Sequence, residues 1–203
     1  MKEFTEKYTE SGKVGGVLVN NYFKSVQRLI SYIPQNELEN TQVLEVGCGP
    51  GFSTQRLLNL LPRSVKLSAS DVEEENVQDT LKKVGERAKV SIEDVYNLER
   101  EDSSLDLIFV LEVMEHLEQP EDALKELKRV CKKYMILGVP NEPIWRILNM
   151  ARMKYLKDLG NTPGHVQHWN MNSFKKLLES NGFKVLKTQS PLPWSLVLVE
   201  KKV

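Results

Sequence analysis

Between residues 42 and 139 the chain alternates short apolar runs with longer stretches whose apolar residues return every three or four positions. Runs at 42–46, 65–69, 88–92, 105–111 and 134–139 have the length of strands. The run LDLIFVL at 105–111 is apolar enough for a strand buried on both faces. Stretches 53–61, 73–84 and 120–132 carry helical spacing; Pro62 closes the first, Gly85 follows the second and Pro120 opens the third. Ahead of them, Val17, Val19, Tyr22, Phe23, Val26, Leu29, Ile30 and Ile33 recur at helical spacing up to Pro34, so residues 1–40 read as a helical lead-in.

Strands alternating with helices predict a parallel sheet covered on both faces by right-handed crossovers. The C-terminal part breaks that rhythm. A helix at 174–180 is followed by strands at 183–187 and 195–200, separated only by a short loop containing SPLP. That loop is too short for a helical crossover, so the last two strands are expected to pair antiparallel. The expected fold is therefore α/β: a Rossmann-like three-layer sandwich around a seven-stranded, mostly parallel sheet with the last strand antiparallel. A length of 203 residues suits one domain spanning 1–203. Within it, 143–170 forms an insertion after the fifth strand.

Composition narrows the classes. Lys+Arg and Asp+Glu are both 28, so net charge gives no argument for a nucleic-acid partner. Two cysteines, Cys48 and Cys131, are too few for a disulfide framework and suit a reducing compartment. The opening MKEFTEKYTE lacks the apolar centre of a secretory signal, and no stretch approaches the ~20 apolar residues of a membrane span. A cytoplasmic location is the expectation, with peripheral membrane contact left open. Oligomeric state is not readable.

The segment VLEVGCGPG, 43–51, ends a strand in three closely spaced glycines. Ligands of open α/β sheets bind beyond the carboxyl ends of strands, and glycine there permits close approach of backbone to ligand. A dinucleotide fingerprint reads G-x-G-x-x-G; here Gly47, Gly49 and Gly51 read G-x-G-x-G, with Glu45 two residues ahead. A carboxylate at that position would repel a pyrophosphate and suits an amino-acid ammonium. Asp71, twenty residues after Gly51, ends the second strand, where an acidic side chain can accept from ribose hydroxyls. These features argue against a nicotinamide-linked oxidoreductase.

Glu45-x-Gly47-x-Gly49-x-Gly51, followed by Asp71 and the segment containing Asp94, resembles a class I S-adenosylmethionine-dependent methyltransferase. The resemblance runs from about residue 41 to the C-terminus. It implies that Asp71 holds the ribose and that Asp94 and the Val95 backbone meet the adenine. Cys48 in the glycine loop, Val72 and Leu111 are the further cofactor contacts it implies. The segment DVYNLEREDSSLDLIFVLEVMEHL is similar to the small-molecule, type 11 branch, except that Glu99-Arg100 replaces the branch's Pro-Phe.

The chain has three histidines. Glu112, Glu115 and His116 stand at i, i+3 and i+4 after the fourth strand, one face of a helical turn. His165 and His168 lie in GNTPGHVQHW, a loop that the topology puts on the ligand side. Three roles are open for His116. The first is structural, with the ring bonded to a carbonyl and the two carboxylates solvated or capping. It is otherwise a general base for a substrate hydroxyl, with His165 as partner. Or Glu112, Glu115, His116 and His165 ligate a divalent ion such as Mg2+ that acidifies that hydroxyl. Glu112-x-x-Glu115-His116 is similar to the metal-binding turn of quinone-biosynthesis O-methyltransferases and of small-RNA 3′-terminal 2′-O-methyltransferases. The latter also carry a histidine four residues before a tryptophan, as His165 precedes Trp169.

The segment 144–156, IWRILNMARMKYL, reads as an amphipathic helix. Trp145, Met150, Met153 and Tyr155 are candidates to line an apolar acceptor site. Its basic residues suit an acidic acceptor group or a membrane surface. The functional expectation is methyl transfer from S-adenosylmethionine to a small-molecule oxygen. RNA 2′-O-methylation and a non-catalytic cofactor-binding subunit are the alternatives.

Overall fold

The computed structural model describes residues 12–202, so the lead-in expected over residues 1–11 lies outside the described part. Helix α1 (Gly12–Ile30) precedes strand β1 (Gln42–Val46). Then follow α2 (Phe52–Leu60), β2 (Lys66–Asp71), α3 (Glu74–Val84), β3 (Lys89–Ile92), β4 (Leu105–Leu111), α4 (Pro120–Val130) and β5 (Cys131–Pro140). The chain ends with α5 (Ile144–Ala151), α6 (Met171–Ser180), β6 (Phe183–Gln189) and β7 (Trp194–Lys201).

All seven strands form one sheet in the order β3-β2-β1-β4-β5-β7-β6. Pairings from β3 to β5 are parallel, and β7 runs antiparallel to both β5 and β6. The three-layer arrangement follows from side-chain alternation. Along β4, Leu107, Phe109 and Leu111 enter one apolar cluster with Tyr22, Val26 and Leu29 of α1. Ile108 and Val110 enter the other, with Leu124 and Leu127 of α4 and Phe174 and Leu178 of α6. A strand feeding two cores must be apolar at nearly every position.

The sheet reverses its strand order between β1 and β4, where Val46 stands beside both Ser70 and Val110. The crevice beyond those ends is where such sheets bind ligands.

The structure departs from the sequence pattern in several places. Helix α4 stops at Val130 and β5 starts at Cys131, whose side chain is buried and which pairs with Leu105 before the ladder slips. Val17, counted in the apolar stripe of α1, is exposed. Helix α5 stops at Ala151 rather than at 156, because Met153 and Tyr155 take φ of 56° and 54°. Left-handed residues cannot continue an α-helix. Among the described residues, no helix is long and apolar enough to cross a membrane.

Candidate active site

The glycine loop is built for a close neighbour. Gly47, Gly49 and Gly51 all have positive φ, at 70°, 52° and 83°. A Cβ on Gly47 would stand 2.4 Å from Val113 Cγ2, and one on Gly51 would stand 2.9 Å from the Thr80 Cα. Neither position accepts a side chain without moving the element packed on it. Cys48 is fully buried, its N–H donates to the Ser70 carbonyl at 2.9 Å, and burial pushes its thiol up to about 12. It therefore contributes the loop's shape rather than a reactive group.

Glu45 lies behind this loop, 1% exposed, and neither carboxylate oxygen has a hydrogen-bond partner. Burial pushes its carboxyl up to about 7. The Ser53 and Thr54 hydroxyls oppose that rise without making full hydrogen bonds, and the Asp71 carboxylate adds to it. A buried carboxylate without donors is costly unless something cationic meets it.

Asp71 accepts three hydrogen bonds. Its Oδ2 takes the Gly49 N–H at 2.8 Å; its Oδ1 takes the Glu73 N–H and the Asn76 amide, both at 3.0 Å. A carboxylate offers about four acceptor positions, so one remains on Oδ2. Val72 is exposed next to it, and Asp94 is exposed just after β3, its Oδ1 accepting the Tyr96 N–H at 3.0 Å. Val95 and Leu111 are buried at 6% and 4% exposure.

Supporting residues emerge only in three dimensions. The Thr80 hydroxyl donates to the Gly49 carbonyl at 2.8 Å, fixing the loop from α3. Arg100 grips Glu93, with Nε to Oε2 at 3.1 Å and Nη2 to Oε1 at 2.5 Å, and Glu93 also accepts from the Ser91 hydroxyl. Burial raises the Glu93 carboxyl, but the Arg100 and Ser91 hydrogen bonds outweigh it and hold it below its ordinary value. Arg100, a departure from the type 11 pattern, thus anchors the residue that precedes Asp94. Arg100→Ala is expected to destabilise the protein by about 1–3 kcal/mol, the cost of leaving a buried charged acceptor unpaired. Because the Glu93 carboxyl is depressed, that contribution is present above the ordinary carboxylate range and disappears as pH falls through the folded value. Urea titrations of both proteins at pH 7 and at pH 3 check it: the gap should close at the lower pH.

The histidine cluster lies beyond β4 and β5. The turn Met114–His116 is a 3-10 turn, not an α-helical one. Glu112 precedes it with φ of 60°, its N–H on the Gly138 carbonyl at 2.9 Å. The expected i, i+3, i+4 face is therefore not formed. Glu112 and Glu115 are buried, at 8% and 1% exposure, rather than solvated. His116 Nδ1 lies 3.0 Å from the Gly164 carbonyl and must donate to it, which leaves Nε2 of the neutral ring with its lone pair.

The loop after α5 completes the cluster. The Glu115 carbonyl accepts the N–H groups of Val166 and Gln167 at 2.9 and 3.1 Å, which seats His165 beside His116. The two rings meet edge to face at 4.9 Å, and His165 stacks on Trp145 at 6.0 Å. Trp145 is itself fixed by its Nε1–H on the Thr162 hydroxyl at 2.9 Å. Ligand atoms of Glu115, His116 and His165 all lie within 4.8 Å of one another; Glu112 is outside that group. His168 is also outside it, with Nε2 2.7 Å from Asn161 Oδ1. Trp145 is buried behind His165, while Met150 and Met153 are exposed, so these residues do not line a common wall.

Residues 44–137 match a methyltransferase domain family. An uncharacterized methyltransferase of Schizosaccharomyces pombe is 24% identical over 140 residues, which are 64% of this chain and 50% of that protein. An uncharacterized 37.1 kDa protein in transposon TN4556 of Streptomyces fradiae is 30% identical over 53% of this chain and 31% of its own length. The alignments thus cover half or less of these curated relatives. Two solved structures share the fold with a TM-score of 0.72. One is the magnesium protoporphyrin IX methyltransferase of Synechocystis with bound S-adenosylhomocysteine, 17% identical over 99% of this chain and 94% of that one. The other is a Haloferax volcanii methyltransferase in complex with the Trm112 activator, 14% identical over 96% of both chains.

Proposed function

We propose that this methyltransferase domain uses S-adenosylmethionine to methylate an oxygen of a small molecule. One observation carries the reading: two buried oxygens of Glu45 that complete no hydrogen bond stand behind three left-handed glycines at the point where the sheet reverses. That arrangement fits the ammonium of an amino-acid-bearing nucleoside and does not fit a phosphate. Glu45 receives the ammonium, and the remaining acceptor position on Asp71 Oδ2 takes a ribose hydroxyl. Asp94 and the Val95 backbone border the adenine. S-adenosylmethionine, when bound, supplies a methyl group on a positively charged sulfur.

The chain's own chemistry is proton handling. The His116 Nε2 lone pair, oriented by the Nδ1 bond to Gly164, accepts the proton of the acceptor hydroxyl. His165 holds the ring edge to face and restricts its rotation. The test combines titration of S-adenosylmethionine with transfer of labelled methyl to a panel of phenols, catechols and hydroxy acids. Transfer to an oxygen acceptor is expected. Tight cofactor binding with no transfer to any acceptor would instead favour a non-catalytic subunit.

A second reading has its own support in the grouping of Glu115, His116 and His165. One carboxylate and two imidazoles form a donor set suited to a divalent ion, which when bound would acidify a chelating hydroxyl. Calorimetric titration of Mg2+, then Mn2+, into protein saturated with S-adenosylhomocysteine tests it. Stoichiometric binding that Glu115→Gln abolishes supports the ion; no heat with either metal removes it.

A further inference from the structure

The segment after β5 carries apolar surface that the fold does not cover. Ile147, Leu148, Met153, Leu156 and Leu159 are 54%, 37%, 79%, 51% and 67% exposed within thirteen residues. Single exposed apolar side chains are ordinary; five in one short segment are the density expected of an interaction surface.

The exposure is built into the loop. Met153, Tyr155 and Leu159 all adopt positive φ, which non-glycine residues seldom take. The strained path is fastened back onto α5. Arg146 donates to the Leu159 and Asp158 carbonyls at 3.2 and 3.3 Å, and the Asn149 amide to the Gly160 carbonyl at 2.9 Å. The Lys154 N–H reaches the Asn149 carbonyl at 2.8 Å. A Cβ at Gly160 would stand 2.3 Å from the Arg146 carbonyl oxygen, so the turn is pressed against the helix. Such a loop holds its apolar residues outward rather than collapsing over them.

Charge selects the occupant. The whole chain is neutral, yet 144–160 contains Arg146, Arg152, Lys154 and Lys157 against Asp158 alone. Arg152 and Lys157 are exposed, with no carboxylate of the described residues at ion-pair distance. Arg146, Lys157, Asp158 and Leu159 also share the wall of an open depression of about 550 Å³, where two cations face one carboxylate. Apolar side chains interleaved with the exposed cations Arg152 and Lys157, beside a depression lined by two basic residues and one acidic one, match a layer of acyl chains under anionic headgroups.

We propose that the surface formed by residues 147–159 docks this protein on an anionic lipid bilayer. The surface adjoins Trp145 and His165 through α5 and the same loop. On the methyltransferase reading, the acceptor is then a membrane-partitioned molecule that enters from the bilayer side.

The experiment is co-sedimentation of the full chain with vesicles of phosphatidylcholine alone and of phosphatidylcholine with about one third phosphatidylglycerol, where partitioning is read without any methyl transfer. Binding is expected only with phosphatidylglycerol, and high salt should suppress it. Arg152→Gln and Lys157→Gln should each lower partitioning about five-fold. Met153→Asn with Leu159→Asn should lower it at least as much, and asparagine tolerates the left-handed backbone, so the loop is kept. Circular dichroism melting verifies that each variant is folded. Absence of binding to the anionic vesicles at low salt overturns the proposal, as does binding that none of these substitutions alters. Self-association in light scattering, abolished by Leu159→Asn, would assign the surface to a second copy and also overturn it. Failure of methyl transfer leaves this readout untouched, so the two readings fail separately.

Discussion

Replacing Glu45 by Gln is expected to remove a pH-dependent penalty of about 3 kcal/mol from the ligand-free protein while weakening S-adenosylmethionine binding. The penalty arises because the folded carboxyl titrates at about 7 and the unfolded one near 4.5. A difference of about 2.5 units at 1.36 kcal/mol each is about 3 kcal/mol. The sign follows from linkage. Between those values the folded protein holds a proton that the unfolded chain has released, so stability falls as pH rises through the window. Above pH 7 the full penalty remains. Urea unfolding of wild type and Glu45→Gln, at pH 4 and at pH 8, isolates this group, since other carboxylates cancel in the comparison. The difference between the two proteins should shift by about 3 kcal/mol in favour of the variant at pH 8.

Cofactor binding should move the opposite way. Loss of a charge-assisted bond to an ammonium costs about 1.5–3 kcal/mol, or about 10- to 100-fold in affinity. Binding to wild type should also release protons near pH 6–7, because the ammonium favours the ionised carboxylate. Parallel pH profiles for the two proteins, or equal affinities, would remove Glu45 from the role assigned to it.

The second large effect is expected from His116→Asn. Asparagine can keep the hydrogen bond to the Gly164 carbonyl through its amide, yet it has no counterpart of Nε2. A general base contributes about 10²- to 10⁴-fold, so methyl transfer should fall by that factor while S-adenosylhomocysteine affinity is unchanged. Raising the pH should partly restore the variant with phenolic acceptors, which then ionise without help. A loss smaller than ten-fold would assign His116 to holding the loop. Comparing His116→Asn with Glu115→Gln at several Mg2+ concentrations separates proton transfer from metal ligation.

Much of the candidate cofactor site could be read along the chain because its parts are neighbours in sequence. Gly47, Gly49 and Gly51 follow β1 directly, and Asp71 ends β2, so strand ends alone place them together. The antiparallel end of the sheet was equally legible, since loop length forbids a crossover between β6 and β7. The second site was not. Glu115 and His165 are fifty residues apart, and their meeting depends on two backbone N–H groups reaching one carbonyl. No local pattern encodes such a bond. The role of Thr80 was hidden for the same reason: it supports the glycine loop from α3.

Residue order alone decided the class of fold, the number of strands and the position of the glycine loop, because periodicity and turn chemistry act over a few residues. Tertiary packing decided the rest. It closed Glu45 off from water and thereby raised its carboxyl. It broke the 144–156 helix at left-handed residues and left their apolar neighbours outside. It also removed Glu112 from the histidine cluster by turning the backbone at φ of 60°. Burial and strain are properties of what surrounds a residue, and the surroundings here come from distant parts of the chain.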